Sequence, residues 1–275
     1  MNKELEVSTH YEHGSLIKVI EDGFNREGKA PSDITLDDMS VIDEFHIGGR
    51  QASEEFLDQL QLEERSLVLD VGCGLGGPAR FVASRFGCLV SGIDLTQEYV
   101  DTGNVLSNWV GLDKKVILQQ GSAMALPFPD GQFDAAYMMH VGMNIADKKS
   151  LFSEVFNVLK PGGIFGIYDV MQVGSGEMEY PAPWAASENT SALASPQDYR
   201  TGLKEAGFNI LATRERGDFA VEFFENIKRR MTEMTEEPLL GLHVLMGKDA
   251  KAKVANVLTS IKEGSIAPVE LIAQR

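Results

Sequence analysis

The sequence predicts an α/β fold: a mostly parallel, seven-stranded sheet with helices on both faces and a helical cap. Three observations predict it. From Ser66 to Met171, short apolar runs alternate with segments of helical period, and a series of βα units requires a parallel sheet covered on both sides. The first run, SLVLDV, enters a glycine turn, GCGLGG, that opens onto a helix. Near the C-terminus, two helical segments separate the last two strand-like runs.

The elements follow in order. Residues 14–24 carry Leu16, Ile17, Ile20 and Phe24 on one helical face. The polar stretch NREGKAPSDITLDD reads as an exposed connection, and DEFHIGGR leads into a helix over 51–60. SLVLDV, CLVSGIDL, KVILQQG, FDAAYMMH and GIFGIYDVM read as five strands. Between them stand the helices GPARFVASRFG, QEYVDTGNVLSNWVG and DKKSLFSEVFNVLK, the last closed by PGG. Residues 172–194 are rich in Gly, Pro and Ser. Ser195 then caps a helix with Pro196 at its first position. FNILATRERG is a sixth strand and APVELIAQR the last; the cap helices FAVEFFENIKRRMTEMTEEP and KDAKAKVANVLTSIKEG lie between them. These readings divide the chain into a helical prelude or lid (1–62), a core (63–218), a cap insertion (219–265) and a final core strand (266–275).

At 275 residues and 43% hydrophobic, the chain can bury a sizeable core. A net charge of −16 excludes a general affinity for nucleic acid or anionic membrane, which need clustered Lys and Arg. Cys73 and Cys88 make no CxxC pair, which fits a reducing cytoplasm. There is no apolar leader, and no run approaches the about eighteen residues of a membrane span. No histidine pair has metal-ligand spacing with a third ligand, so no metal is expected; His10, His13 and His243 read as surface or cap residues.

Gly72, Gly74 and Gly77 satisfy G-x-G-x-x-G between a strand and a helix. Asp94 ends the second strand about twenty residues on, where an acid binds ribose hydroxyls. Asp70, however, stands two residues before the first glycine. A carboxylate there repels a pyrophosphate and attracts a cation. The choice therefore falls on S-adenosylmethionine, an adenosine that continues into a sulfonium and an ammonium, rather than on a nicotinamide dinucleotide. No GKS or GKT follows the glycines, so this is not a phosphate-binding P-loop.

VLDVGCGLGG, with Asp94 and the later LKPGG, resembles motif I and its companions in class I S-adenosylmethionine-dependent methyltransferases. The resemblance spans roughly residues 43–214 and the final strand. It is closer to the small-molecule subgroup of sarcosine/dimethylglycine, phosphoethanolamine and ubiquinone/menaquinone-type enzymes, with DEFHIGGR and YPAPWA on the sarcosine/dimethylglycine side. It implies a Rossmann-like sheet with an antiparallel last strand. It also implies that Asp70, Gly72 and Gly74 line the methionine end of the cofactor and that Asp94 and Leu95 hold the ribose. Ser122 and Ala123 would meet the adenine, where the family often has Asp-Ala. His140 would lie near the sulfonium, with His46 approaching from the prelude.

Methyl transfer is an in-line displacement that rests mainly on alignment. The acceptor needs a free lone pair, so a base is expected for some acceptors. His140 is the first candidate for base or positioning group and His46 the second. Tyr168, Tyr180 and Trp184 are candidates for an aromatic acceptor pocket that attracts an ammonium, and Asp169 for its counter-charge. Met138, Met139, Met143 and Met171 near the strand ends suit a larger apolar acceptor. The sequence reading is methyl transfer to a small metabolite, at nitrogen of a small amine. Carbon or oxygen of an aromatic or isoprenoid molecule, and a non-catalytic cofactor-binding module, stay open, as does a homodimer. MMHVGMN stands where adenine- and glutamine-directed N-methyltransferases carry NPPY or DPPY.

Overall fold

The structure is a computed structural model that describes residues 3–12, 14–234 and 238–275. Among these residues seven strands form one sheet: β1 (Leu67–Val71), β2 (Leu89–Asp94), β3 (Val116–Gln120), β4 (Phe133–Met139), β5 (Leu159–Gln172), β6 (Asn209–Glu215) and β7 (Ile266–Gln274). Their order is β3-β2-β1-β4-β5-β7-β6. The first five strands pair in parallel, and β7 is antiparallel to both β5 and β6. The sheet and its antiparallel last strand are those expected from the sequence.

Strand alternation splits the core over the two faces of the sheet. Leu69 and Val71 pack on one side with Phe152 and Val155 of α7 (Lys148–Val158) and Leu203 of α8 (Pro196–Ala206). Val68 and Val90 pack on the other with Phe56 of α4 (Gly49–Leu57) and Val82 of α5 (Gly77–Arg85). α8 begins as expected: Ser195 and Asp198 exchange capping bonds, with Pro196 at the first position. In contrast, α7 ends at Val158, short of the PGG, because Leu159 already pairs with Phe133 in the sheet.

Before β1 lie α1 (Lys3–Tyr11), α2 (Leu16–Arg26), α3 (Leu36–Asp43) and α4. The stretch read as an exposed connection therefore contains the start of α3, capped by Thr35 and Asp38. α6 (Gln97–Trp109) follows β2. Between β6 and β7 stand α9 (Gly217–Glu233), α10 (His243–Met246) and α11 (Ala250–Lys262). Among the described residues no helix is long and apolar enough to cross a membrane.

The strand order reverses between β1 and β4, and ligands in such sheets lie beyond the carboxyl ends of the strands at that point. The prelude and α10 lie over those ends, where they enclose a cavity.

Candidate functional site

The cavity holds about 320 Å³ and crosses the ends of four strands in spatial order. Gly121 and Met124 line it after β3, Asp94 and Leu95 at β2, Asp70 and Gly72 at β1, and Met139 and His140 at β4. Glu4 and Tyr11 of α1, Phe45 and His46 of the prelude, and Leu245 of α10 complete its walls.

The glycine turn is built for close approach. Gly72 has φ +74, and a Cβ there would lie 2.4 Å from a Val141 methyl. Gly74 has φ +51 and borders the cavity, with no neighbouring atom within 4 Å of a would-be Cβ. Only glycine adopts such backbone freely, and here it leaves room for a ligand. A Cβ on Gly77 would meet the Asp43 carbonyl at 2.2 Å, so this residue admits α3 against the start of α5. Asp94 ties the turn to β2: Gly74 N–H donates to Oδ2 and Thr96 N–H to Oδ1, each at 2.9 Å.

Arg80 is wholly buried beneath the turn. Its guanidinium donates to the Leu75 and Gly103 carbonyls and to Ser107 and Asp43, at 2.7–3.1 Å. The other Asp43 oxygen, Oδ1, is buried and accepts no hydrogen bond among the described residues. Burial pushes the Asp43 carboxyl up to about 6.

Asp70 is 3% exposed and accepts a 2.9 Å bond from the Tyr137 hydroxyl. The two residues sit side by side in the β1–β4 register. Burial, reinforced by the Asp94 charge, raises the Asp70 carboxyl to about 8 against the opposing Tyr137 bond. The cavity lining includes Glu4, Asp43, Asp70, Asp94 and Asp147 but no Lys or Arg among its described residues. Such a lining can ionise to meet a cation and is hostile to a pyrophosphate.

Comparison with known proteins gives this geometry a family. Residues 69–167, from β1 to the middle of β5, match the family described as "Methyltransferase domain". The chain carries a methyltransferase domain. Over 166 residues it is 30% identical to a sterol 24-C-methyltransferase of Aspergillus fumigatus, covering 58% of this chain and 44% of that protein. Over 194 residues it is 31% identical to phosphoethanolamine N-methyltransferase 1 of Arabidopsis thaliana, covering 69% and 38%. The chain thus spans less than half the length of the curated relatives it matches. The crystal structure of the [4+2]-cyclase SpnF superposes with a TM-score of 0.70 at 22% identity, over 99% of this chain and 96% of that one. That likeness shows the fold alone, and one fold hosts several chemistries.

In the methyltransferase domain His140 ends β4 with φ +57, a left-handed conformation uncommon outside glycine. Its Nδ1–H donates to the Tyr168 carbonyl at 3.0 Å, and its Nε2 accepts from Ile47 N–H at 3.2 Å. Both ring nitrogens are thus engaged by backbone. Burial and the neighbouring His46 lower its pKa to about 3. The Nε2 lone pair that a base would use is thus engaged by Ile47 N–H and holds the prelude.

His46 donates from Nε2 to the Gly49 carbonyl at 3.1 Å, with Ser53 Oγ also 3.1 Å away. Its ring lines the cavity, and Nδ1 makes no hydrogen bond among the described residues. Burial lowers its pKa to about 4, so the ring is neutral at pH 7.

Leu95 and Ala123 line the cavity where the sequence reading expects them. Ser122 sits in the same loop, but its hydroxyl donates to Glu4 and accepts from Met124 N–H at 3.0 Å.

The four predicted acceptor residues lie outside the cavity lining. Tyr168 is buried, and its hydroxyl donates to the Ile47 carbonyl at 2.9 Å. Asp169 accepts from Val141 and Gly142 N–H and from the Tyr199 hydroxyl, so it fixes the turn after β4. Trp184 packs with Ile47, Phe224 and Val257 and donates to Ser191. Tyr180 is half-buried beside that cluster. Packing between the post-β5 loop and the cap claims these aromatic faces. Met139 lines the cavity, whereas Met138, Met143 and Met171 are core residues. Of the remaining histidines, His10 bonds the Pro183 carbonyl, His243 opens α10, and His13 lies outside the described residues.

Sequence reasoning missed Glu4, Tyr11, Asp43, Arg80 and Tyr137. Tyr137 had a signal, a hydroxyl inside the apolar strand FDAAYMM. Arg80 had one too, as a charge on an otherwise apolar helix face. Glu4 and Tyr11 had none, because α1 is short and mixed in polarity.

Proposed function

We propose that the protein transfers a methyl group from S-adenosylmethionine to a small-molecule acceptor. One observation carries the reading: a buried carboxylate, Asp70, faces a cavity whose described lining has acids but no Lys or Arg, beside a glycine turn open to a ligand. When bound, S-adenosylmethionine supplies a methyl group on a cationic sulfur that leaves readily. Asp70 receives the ammonium, with Tyr137 stabilising its ionised form. Asp94 accepts the ribose hydroxyls while holding the turn. Glycine at 72 and 74 lets the ligand reach the backbone. His140 acts as a positioning residue: it latches Ile47 and so keeps His46 and Phe45 over the β4 end. His46 Nδ1 accepts an N–H or O–H from the acceptor and so directs the acceptor's free lone pair. A neutral imidazole suits this role because no proton has to be taken up.

The acceptor is a small amine reacting at nitrogen, and the surrounding carboxylates favour it. The same charge disfavours a phosphorylated acceptor. A second reading, carbon or oxygen of a neutral apolar molecule, is favoured by Val7, Phe45, Met139, Ile145 and Leu245 in the lining. The reduced cysteines and acidic surface suit a cytoplasmic protein.

Thermal melting tests the cofactor class. S-adenosylhomocysteine at a hundredfold its Kd should stabilise the protein by about 2.7 kcal/mol, NAD should not, and Asp94→Asn should lose the effect. Stabilisation by NAD alone would overturn the reading.

A further inference from the structure

We infer that residues 240–246, which carry α10, are a strap that gates the cavity and is latched by Leu240, seated in a notch at Gly23 of α2. By sequence the strap belongs to the insertion between β6 and β7. Its leucines pack elsewhere. The helices α9 and α11 place Ala220, Phe224 and Val257 in a cluster with Trp184. Leu240 and Leu245 instead join Ile20 and Phe24 of α2, Met39 of α3 and Tyr99 of α6. Both leucines are 4% exposed, and Leu245 is also part of the cavity wall. The segment thus leaves its own unit to close the cavity against the prelude.

The notch is explicit in the sequence. Gly23 lies inside α2, where glycine is a poor helix former. Its φ is not left-handed, so the backbone does not require glycine. Leu240 does: a Cβ on Gly23 would lie 2.5 Å from Leu240 Cδ2 and 2.6 Å from its Cγ. The leucine occupies the space that any other side chain at 23 would fill.

The strap is built to move as a unit. The backbone N–H groups of residues 244–246 donate to Gly241 and Leu242 carbonyls. Lys253 of α11 donates to the Met246 carbonyl at 3.0 Å. Just beyond, Gly247 takes φ +70 and ψ −163, a conformation that glycine alone adopts readily. Rotation at such a joint keeps the strap's internal hydrogen bonds, and what breaks at the prelude is apolar contact. Withdrawal of Leu240 carries Leu245 with it and opens the cavity wall.

The gate sits on the cavity proposed to hold S-adenosylmethionine, so the choice of probe rests on that reading. Stopped-flow displacement of S-adenosylhomocysteine gives its release rate. Leu240→Ala should speed release by about tenfold or more. Gly23→Ala should also speed it, because the new methyl group expels Leu240. In the Leu240→Ala background, Gly23→Ala should add nothing, and independent, multiplying effects would overturn the notch. Gly23→Cys combined with Leu240→Cys locks the strap when oxidised. Release should then slow by about tenfold or more and recover on reduction. Unchanged release with the cross-link confirmed by mass, or no cross-link at all, would overturn the gate while leaving the cofactor reading intact. If the unaltered chain did not bind S-adenosylhomocysteine, the cofactor reading would fail, and the gate with it.

Discussion

Tyr137→Phe isolates the coupling between the Asp70 proton and ligand charge. The Tyr137 hydroxyl lies 2.9 Å from Asp70 Oδ2 in a buried site. Hydrogen bonds to charged groups contribute about 1.5–3 kcal/mol, which is about one to two pKa units. Removing this one raises the Asp70 carboxyl further above its present value of about 8. At pH 7 the ligand-free carboxyl is therefore largely protonated, and binding an ammonium must expel that proton. The unfavourable step grows as pH falls, so affinity for S-adenosylhomocysteine weakens by up to about tenfold for each unit that pH drops below the carboxyl's pKa. In Tyr137→Phe the affinity at pH 7 should fall by about tenfold or more, and the gap should narrow toward pH 9. Calorimetry in two buffers of different ionisation enthalpy counts the proton directly. The unaltered protein should release close to one proton at pH 7, and Asp70→Asn none. No proton release, or a Tyr137→Phe deficit that does not change with pH, would refute the reasoning.

Arg80→Met strips the Asp43 carboxylate of its buried partner at 2.8 Å. This should cost about 3–5 kcal/mol, a fall of roughly 6–20 °C in Tm by calorimetry. Trp184→Phe should lower Tm slightly and leave the acceptor KM within about twofold, because the indole packs against the cap rather than lining the cavity. Buried, neutral His46 and His140 should erode stability in acid. Their folded pKa values, about 4 and about 3, lie below the unfolded 6.5. The unfolded chain therefore binds more protons, and stability drops as pH falls from 6.5. His140→Asn, which tolerates the left-handed backbone, should flatten part of that decline in denaturant titrations against pH.

The sheet and the cofactor end were legible because local pattern decides them. Strand period, GCGLGG and the positions of Asp70 and Asp94 are set within a few residues of one another. The acceptor end was not, because long-range packing decides it. Tyr168 and Trp184 looked like pocket aromatics, but Ile47 and the cap helices claim them. His140 read as a base or positioning group, and its bond from Ile47 N–H, 93 residues away, lies beyond any local pattern. Glu4 meets Ser122 across 118 residues, a contact that no local periodicity could announce.

The most direct test is transfer of label from methyl-labelled S-adenosylmethionine into a deproteinised small-molecule extract, with Asp94→Asn alongside. Label in a low-mass product, lost in the variant, is the predicted result, and the product's mass would identify the methylated atom. Tight, specific binding of S-adenosylmethionine with no label in any product would contradict methyl transfer to a small molecule and leave a cofactor-binding module of another purpose.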